Sequence, residues 1–278
     1  MPYFRVAPEQ ERAFRRDGYL HVCGLLDAEE ANLLRETIER DREVEASIYE
    51  RADASGAKAK LSLWTEPGDD LYGMIARSRR VVDTMERFLG DEVYHYHSKL
   101  VAKDPLVGGG FEWHQDYGYW YHNACLFPDM AACMIAIDLT DRENGCLEVL
   151  SGSHRMGRID HVALGSQVMA DPERVAEAAK RLPSVLIEMA PGDGLFFHAN
   201  LLHRSAPNRS GRRRWVLICA YNAKSNDPYK ETYLPRYTPL AKVEDDRVKA
   251  AGGKGAAADK PFVRSPQGVG PKSGAAAD

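Results

Sequence analysis

Apolar positions follow one spacing before about residue 91 and another after it. In the first stretch the spacing is helical. Residues 7–17, APEQERAFRRD, read as a helix stopped by Gly18, and YLHVCGLL after it alternates or runs apolar like a strand. Residues 27–50, DAEEANLLRETIERDREVEASIYE, predict a longer helix with Asp27 as N-cap and acidic residues in its first turn. Residues 51–70 are rich in Ala, Gly and Lys and read as a loop. Residues 71–90, LYGMIARSRRVVDTMERFLG, place apolar side chains at helical spacing and stop at Gly90.

From residue 91 onward the apolar segments shorten. They run EVYHYHSKLVAK, FEWHQDY, AACMIAIDL, GCLEVLSGS, SVLIEMA, GLFFHANL and RWVLICAYN, with DPLVGGG, DRENG, PGDG and PNRSG among the turns between them. Many short strands joined by turns predict a β-sandwich or jelly roll. One stretch, DPERVAEAAKRL, interrupts them as a helix. Beyond residue 250 the chain is Gly-, Ala- and Pro-rich with few large apolar residues, and reads as a disordered tail. The expected organisation is one domain over residues 1–250, mainly β with N-terminal helices (α+β): a helical part over about 1–90, a β core over about 91–225, and a tail over 251–278. No internal repeat is present.

Composition narrows the function more than the fold. A formal net charge of −4 on 278 residues offers no nucleic-acid or anionic-membrane surface. No apolar run reaches the roughly 18 residues needed to span a bilayer, and the start lacks the pattern of a signal peptide. Five cysteines in no CxxC spacing read as reduced, mostly buried thiols. The expectation is a soluble, cytoplasmic protein of unspecified oligomeric state.

The chemistry concentrates in FEWHQDYGYW, residues 111–120. Alternate side chains of a strand share a face, so His114 and Asp116 would point together, away from Gln115. A lone His-x-Asp pair is weak evidence for metal, since a hydrogen-bonded structural pair looks the same. A later histidine, His203 or His198, would complete the two-imidazole, one-carboxylate set that occupies one face of an iron octahedron. Arg214 lies eleven residues after His203 (214 − 203) and opens an apolar strand, where a guanidinium suits a carboxylate. In RENGCLEVLSGSHR an Asn-Gly turn precedes a strand that ends in Gly-Ser-His; His154 there reads as fixing the turn. Trp113, Tyr117, Tyr119, Trp120 and Tyr121 crowd the His-x-Asp motif and either line a substrate site or pack the barrel.

In this order, RRDGYLHVCGLL, SKLVAKDP, WHQDY, ENGCLEVLSGSHR, PGDGLFFHANLLHRSAPNRS and the arginine beyond resemble the phytanoyl-CoA dioxygenase family, over roughly residues 14–222. The resemblance implies a double-stranded β-helix (jelly-roll) core. It also implies an iron(II)/2-oxoglutarate-dependent dioxygenase that hydroxylates its substrate with O2 and releases succinate and CO2, with ascorbate a candidate reductant. The family accepts acyl-CoA thioesters, small polar metabolites and natural-product intermediates; with no CoA-binding basic patch beyond Arg212–Arg214, a small molecule is expected. Carried over by position, His114, Asp116 and His203 would bind iron, with His203 favoured over His198 because it heads His203-x-Ser205-x-x-Asn208-x-Ser210. Arg214 would grip the distal carboxylate of 2-oxoglutarate, and Lys99, or Lys103 in competition with it, would add a contact. Tyr117, Trp120 and His97 are the candidate substrate contacts. Related halogenases lack the carboxylate that Asp116 supplies, so hydroxylation is expected. The rival readings are a non-catalytic metal-binding barrel and a cupin-like metalloenzyme that needs no 2-oxoglutarate; Arg214 argues against the second.

Overall fold

The computed structural model describes residues 3–164 and 167–263. Helix α1 (Pro8–Asp17) ends where Gly18 takes φ 82°, and strand β1 (Tyr19–Val22) follows. Helix α2 (Ala28–Arg40) is capped by Asp27, whose side chain accepts from the Glu30 amide while Glu30 reaches back to the Asp27 amide. The expected helix over 27–50 stops ten residues early. Asp41 leaves helical geometry (ψ 102°) and caps a short helix α3 (Arg42–Ala46) by accepting from the Glu43 and Val44 amides. Residues 71–90 also divide: Ser78, at ψ 142°, separates α4 (Leu71–Arg77) from α5 (Arg79–Leu89).

The expected loop over 51–70 is largely a hairpin, β2 (Tyr49–Ala52) and β3 (Lys58–Trp64). Ala59, Leu61 and Leu63 alternate with Lys58, Lys60 and Ser62, a period of two that the Ala- and Lys-rich composition obscures. Packing on β4 (Val93–Lys103) makes this hairpin a sheet edge.

The remaining elements are β5 (Phe111–His114), α6 (Asp116–Trp120), β6 (Met130–Ala136), β7 (Leu147–Leu150), β8 (His161–Leu164), β9 (Gln167–Ala170), α7 (Pro172–Ala179), β10 (Ser184–Ile187), β11 (Gly194–His198), β12 (His203–Ser205), β13 (Arg214–Ala223) and α8 (Arg247–Ala250). A large sheet in the order β1-β11-β6-β13-β4-β3-β2 faces a smaller one, β10-β7-β12-β5, and the pairing within both is antiparallel. This is the jelly roll that the strand pattern predicts. The large sheet is covered on both faces. Ala131, Cys133 and Ile135 of β6 pack with the helices through Phe14, Val81 and Phe88, whereas Ala132, Met134 and Ala136 face Leu147 and Val149 of the small sheet. That two-sided burial explains why β6 is apolar throughout. No helix among the described residues is long and apolar enough to cross a membrane.

Residues 251–263, expected to begin a disordered tail, pack against the helical side. The Lys260 ammonium forms a buried ion pair with Asp70 and donates to Pro67 O at 2.7 Å. Phe262 meets Trp64 edge to face, with centroids 5.9 Å apart, and the Val263 amide donates to Leu63 O at 2.8 Å. Polar contacts and one ring hold this segment, with the Ala256 amide also donating to Asp41 and the Leu71 amide to Lys254 O, so its low apolar content gives no sign of it. Residues 264–278 lie outside the described residues. A chain ending at Ala250 should therefore melt lower, because Asp70 is left buried without its cation at a cost of about 3–5 kcal/mol. At about 2–4 °C per kcal/mol that is roughly 6–20 °C, readable in a thermal melt and, for the ion pair alone, in Lys260→Ala. An unchanged midpoint in both would show that the segment contributes no stability.

Candidate metal centre and cleft

Strand register brings the two histidines together. β12 runs antiparallel to β5 with His203 directly opposite His114, and their ring centroids are 4.1 Å apart. Each imidazole is held by its own backbone. His114 Nδ1–H donates to Glu112 O at 2.7 Å and His203 Nδ1–H to Leu201 O at 2.9 Å. A carbonyl can only accept, so the proton is on Nδ1 and each Nε2 keeps its lone pair. Burial, followed for His114 by the neighbouring His203, pushes both pKa values down, which keeps the rings neutral.

Asp116 joins them by a different route from the one its spacing suggests. β5 ends at His114, and Asp116 is the first residue of α6, so the two do not share a strand face. The turn between them returns the carboxylate to the imidazoles: Asp116 Oδ1 is 3.9 Å from His114 Nε2, and ligand atoms of His114, Asp116 and His203 all lie within 4.8 Å of one another. Burial alone would raise the Asp116 pKa, but Lys99, His203 and His114 hold it below the ordinary value.

Gln115 fixes that turn. Its side chain donates to Gly157 O and Asn200 O, both at 2.8 Å, and accepts from the Ile159 amide at 2.7 Å. Its own amide donates to His161 Nε2 at 2.9 Å. Gly118 lets His161 come this close, since a Cβ there would meet the imidazole at 2.2 Å. Neither Gln115 nor His161 is marked by the sequence, because their partners are distant in the chain. His198 lies elsewhere, its Nδ1 accepting from the Asn200 amide at 3.0 Å and its ring against His154. His154 ties its turn to the end of α1 by a 3.1 Å bond to Arg15 O.

Neutral burial of such histidines makes stability depend on pH. Desolvation lowers His95 to about 3 and, with a smaller part from His154, His198 to about 4. Unfolded, each would titrate near the usual ~6.5, so below that pH the unfolded chain binds more protons than the folded one. Their stabilisation is complete above about pH 6.5 and is lost progressively as pH falls toward 4. Urea unfolding of the metal-free protein between pH 7 and 4.5 should show that decline. His95→Gln with His198→Asn should make it shallower, with the remaining slope carried by other buried histidines such as His97 and His161.

A cleft of about 310 Å³ opens beside the cluster, and Arg214 lines it. Arg214 is 2% exposed, and among the described residues no carboxylate pairs with it and its Nε has no hydrogen-bond partner. Burial lowers its pKa to about 10. Arg212 and Arg213 are spent on the surface, on Asp141 and on Asp138 with Glu39. Lys103, opposite Arg214 in the β4–β13 ladder, does not line the cleft; it donates to Ser205 Oγ (2.8 Å), Ser205 O and Ala206 O. The Asn144-Gly145 turn closes over the same carbonyl, where a Gly145 Cβ would come within 2.1 Å of Ala206 O. Lys99 does line the cleft, with its ammonium 3.9 Å from Asp116 Oδ1.

Of the proposed substrate contacts, Trp120 and His97 line the cleft and Tyr117 does not. The Tyr117 hydroxyl points away and donates to Cys125 O at 3.1 Å, because α6 is helical and sends Tyr119, not Tyr117, inward. Trp113 lies under Arg204 and Tyr121 under Arg158. The sequence reading missed Leu61 and Leu63 on the unforeseen hairpin, Asn123, Gln167, and Tyr233 and Leu234 after β13. Only the alternation in β3 signalled any of them.

Residues 14–216 match the family model of phytanoyl-CoA dioxygenase. The chain belongs to this family. Phytanoyl-CoA dioxygenase-like relatives include the L-proline trans-4-hydroxylase of Streptomyces griseoviridis, 28% identical over 84% of this chain and 95% of that one. Another is the ectoine dioxygenase of Sphingopyxis alaskensis, 29% identical over 80% and 77%. The crystal structure of EctD from S. alaskensis with 2-oxoglutarate and 5-hydroxyectoine shares the fold at TM-score 0.74 and 23% identity, covering 86% of this chain and 88% of that one. The epimerase SnoN in complex with Fe3+, alpha-ketoglutarate and nogalamycin RO does so at 0.66 and 18%, covering 91% and 97%. As a member of the phytanoyl-CoA dioxygenase family this chain is an iron(II)/2-oxoglutarate-dependent dioxygenase. Its donor set fits such an iron: two neutral imidazoles with open Nε2 lone pairs and one ionised carboxylate.

Proposed function

We propose that this dioxygenase hydroxylates a small molecule at an iron(II) held by His114, Asp116 and His203, with 2-oxoglutarate anchored by Arg214. The observation that carries the reading is the pairing of that three-ligand cluster with a buried, uncompensated guanidinium on the same cleft. When bound, iron and 2-oxoglutarate supply the oxidant from O2, with succinate and CO2 released. The chain's part is placement. Arg214 receives the distal carboxylate through two donors. Ser205 Oγ already accepts from Lys103, which leaves its own proton to donate to that carboxylate. Lys103 acts behind Ser205 as a positioning residue. Trp120 and Tyr119 also line the cleft, where their rings exclude water.

Asp116 beside both histidines supports hydroxylation over halogenation. The relatives act on L-proline and ectoine, and a 310 Å³ cleft suits a substrate of that size better than a long acyl chain. The free cysteines, four of them buried, fit a reducing compartment such as the cytoplasm. Succinate release by the full chain, with iron(II), 2-oxoglutarate, O2 and ascorbate across a metabolite panel, tests the reading. Slow iron-dependent release without substrate, stimulated by one class of metabolite, is expected. Release that needs neither iron nor 2-oxoglutarate would refute it.

A further inference from the structure

The cleft wall leaves one cation without a counter-charge once the proposed reactants are counted. Asp116 is the only carboxylate among the described lining residues, facing Lys99, Arg204, Arg214 and Arg51. Arg204 is neutralised by Glu148 at 2.7 Å and lies over Trp113. Arg51 is already engaged by Tyr49, whose ring it lies over and whose hydroxyl it hydrogen-bonds. Iron(II), Asp116 and Arg214 together carry a charge of +2, which the 2-oxoglutarate dianion balances. Lys99 is the charge left over.

Its geometry fits that role. The Lys99 ammonium has no hydrogen bond among the described residues, and its nearest acid, Asp116 at 3.9 Å, is a proposed metal ligand. Lys99 pairs with Ile218, four residues along β13 from Arg214, so the two cations are based about 13 Å apart along the ladder. A 2-oxoglutarate with one carboxylate on Arg214 and the other at the metal has both ends satisfied without Lys99. Two residues along the same face of β4, His97 is buried with an unpartnered Nδ1 and packs its ring against Trp120. One ammonium beside one neutral imidazole matches a singly charged head group; a phosphonate dianion would call for a second cation next to Lys99.

Resting on the iron and 2-oxoglutarate reading, we propose that the substrate is a small carboxylate whose carboxyl group is bound by Lys99, with His97 hydrogen-bonding a second polar atom and Trp120 packing on the carbon frame. The resemblance had given Lys99 to 2-oxoglutarate; here it is a specificity-determining residue.

The test uses the full chain and needs no prior identification of the substrate. An ultrafiltered metabolite extract is passed over a strong anion exchanger in hydroxide form, which retains zwitterions as well as simple anions. Iron-dependent succinate release is then assayed with each fraction. Stimulation is expected in the retained fraction and should disappear after carbodiimide amidation. Stimulation in the flow-through, or survival of amidation, overturns the proposal. With the retained fraction, Lys99→Met should raise the half-saturating concentration at least tenfold and Lys99→Arg should restore most of it. In parallel, 2-oxoglutarate affinity, measured by calorimetry under nitrogen, should change less than threefold in Lys99→Met. A larger loss of 2-oxoglutarate affinity would return Lys99 to the co-substrate and overturn the assignment. Substrate-free, iron-dependent succinate release by the unaltered chain tests the underlying reading separately.

Discussion

Replacing His203 with alanine should empty the metal site and abolish iron-dependent succinate release, while His198→Ala keeps its iron. His203 sits opposite His114 in the β5–β12 ladder, and its Nδ1–H bond to Leu201 O leaves Nε2 open toward Asp116. His198 spends its Nδ1 on the Asn200 amide and is not in the cluster. Loss of a partner merely orienting a ligand typically costs about 10–100-fold in metal affinity, so loss of a ligand should exceed that. Iron per chain after anaerobic reconstitution is the direct readout. If His198→Ala alone emptied the site, the third ligand would have to be reassigned.

Arg214→Leu should weaken 2-oxoglutarate binding by about 2–5 kcal/mol, or roughly thirtyfold to several thousandfold, because a buried carboxylate would lose its bidentate partner. Arg212→Ala should leave that affinity unchanged, since Arg212 is exposed and paired with Asp141. A second readout separates a binding charge from a structural one. Arg214 is buried with no carboxylate partner among the described residues, so the ligand-free protein carries its desolvation cost uncompensated. Arg214→Leu should therefore melt no lower than the unaltered chain without 2-oxoglutarate, and should gain far less from its addition. Equal 2-oxoglutarate affinity in the two proteins would remove Arg214 from the site.

Sequence alone determined whatever depends on near neighbours in the chain. The two-sided burial of β6 appears as an unbroken apolar run, the ends of α1 and α5 as Gly18 and Gly90, and the strand boundaries as turn residues. The residue types proposed to hold the metal, and the guanidinium that ends the run Arg212–Arg214, were legible for the same reason: few other side chains suit that chemistry, and their order along the chain is distinctive. Tertiary structure decided everything that depends on direction. Spacing put His114 and Asp116 on one strand, whereas Asp116 reaches the imidazoles around a turn that Gln115 holds through Gly157, Ile159 and Asn200. Family position already favours His203 over His198; what register adds is that β12 lies against β5 with His203 opposite His114. Likewise Lys99 and Lys103 occupy one strand, yet only the packing of Ser205 and Ala206 against Lys103 turns it away from the cleft and leaves Lys99 facing in. Residues 251–263 extend the point, since the buried Lys260–Asp70 pair and the Phe262–Trp64 contact, joining positions far apart in the chain, help hold a segment whose composition reads as disorder. Periodicity records which side of an element is buried; which groups meet there is settled by contacts between residues that sequence distance keeps apart.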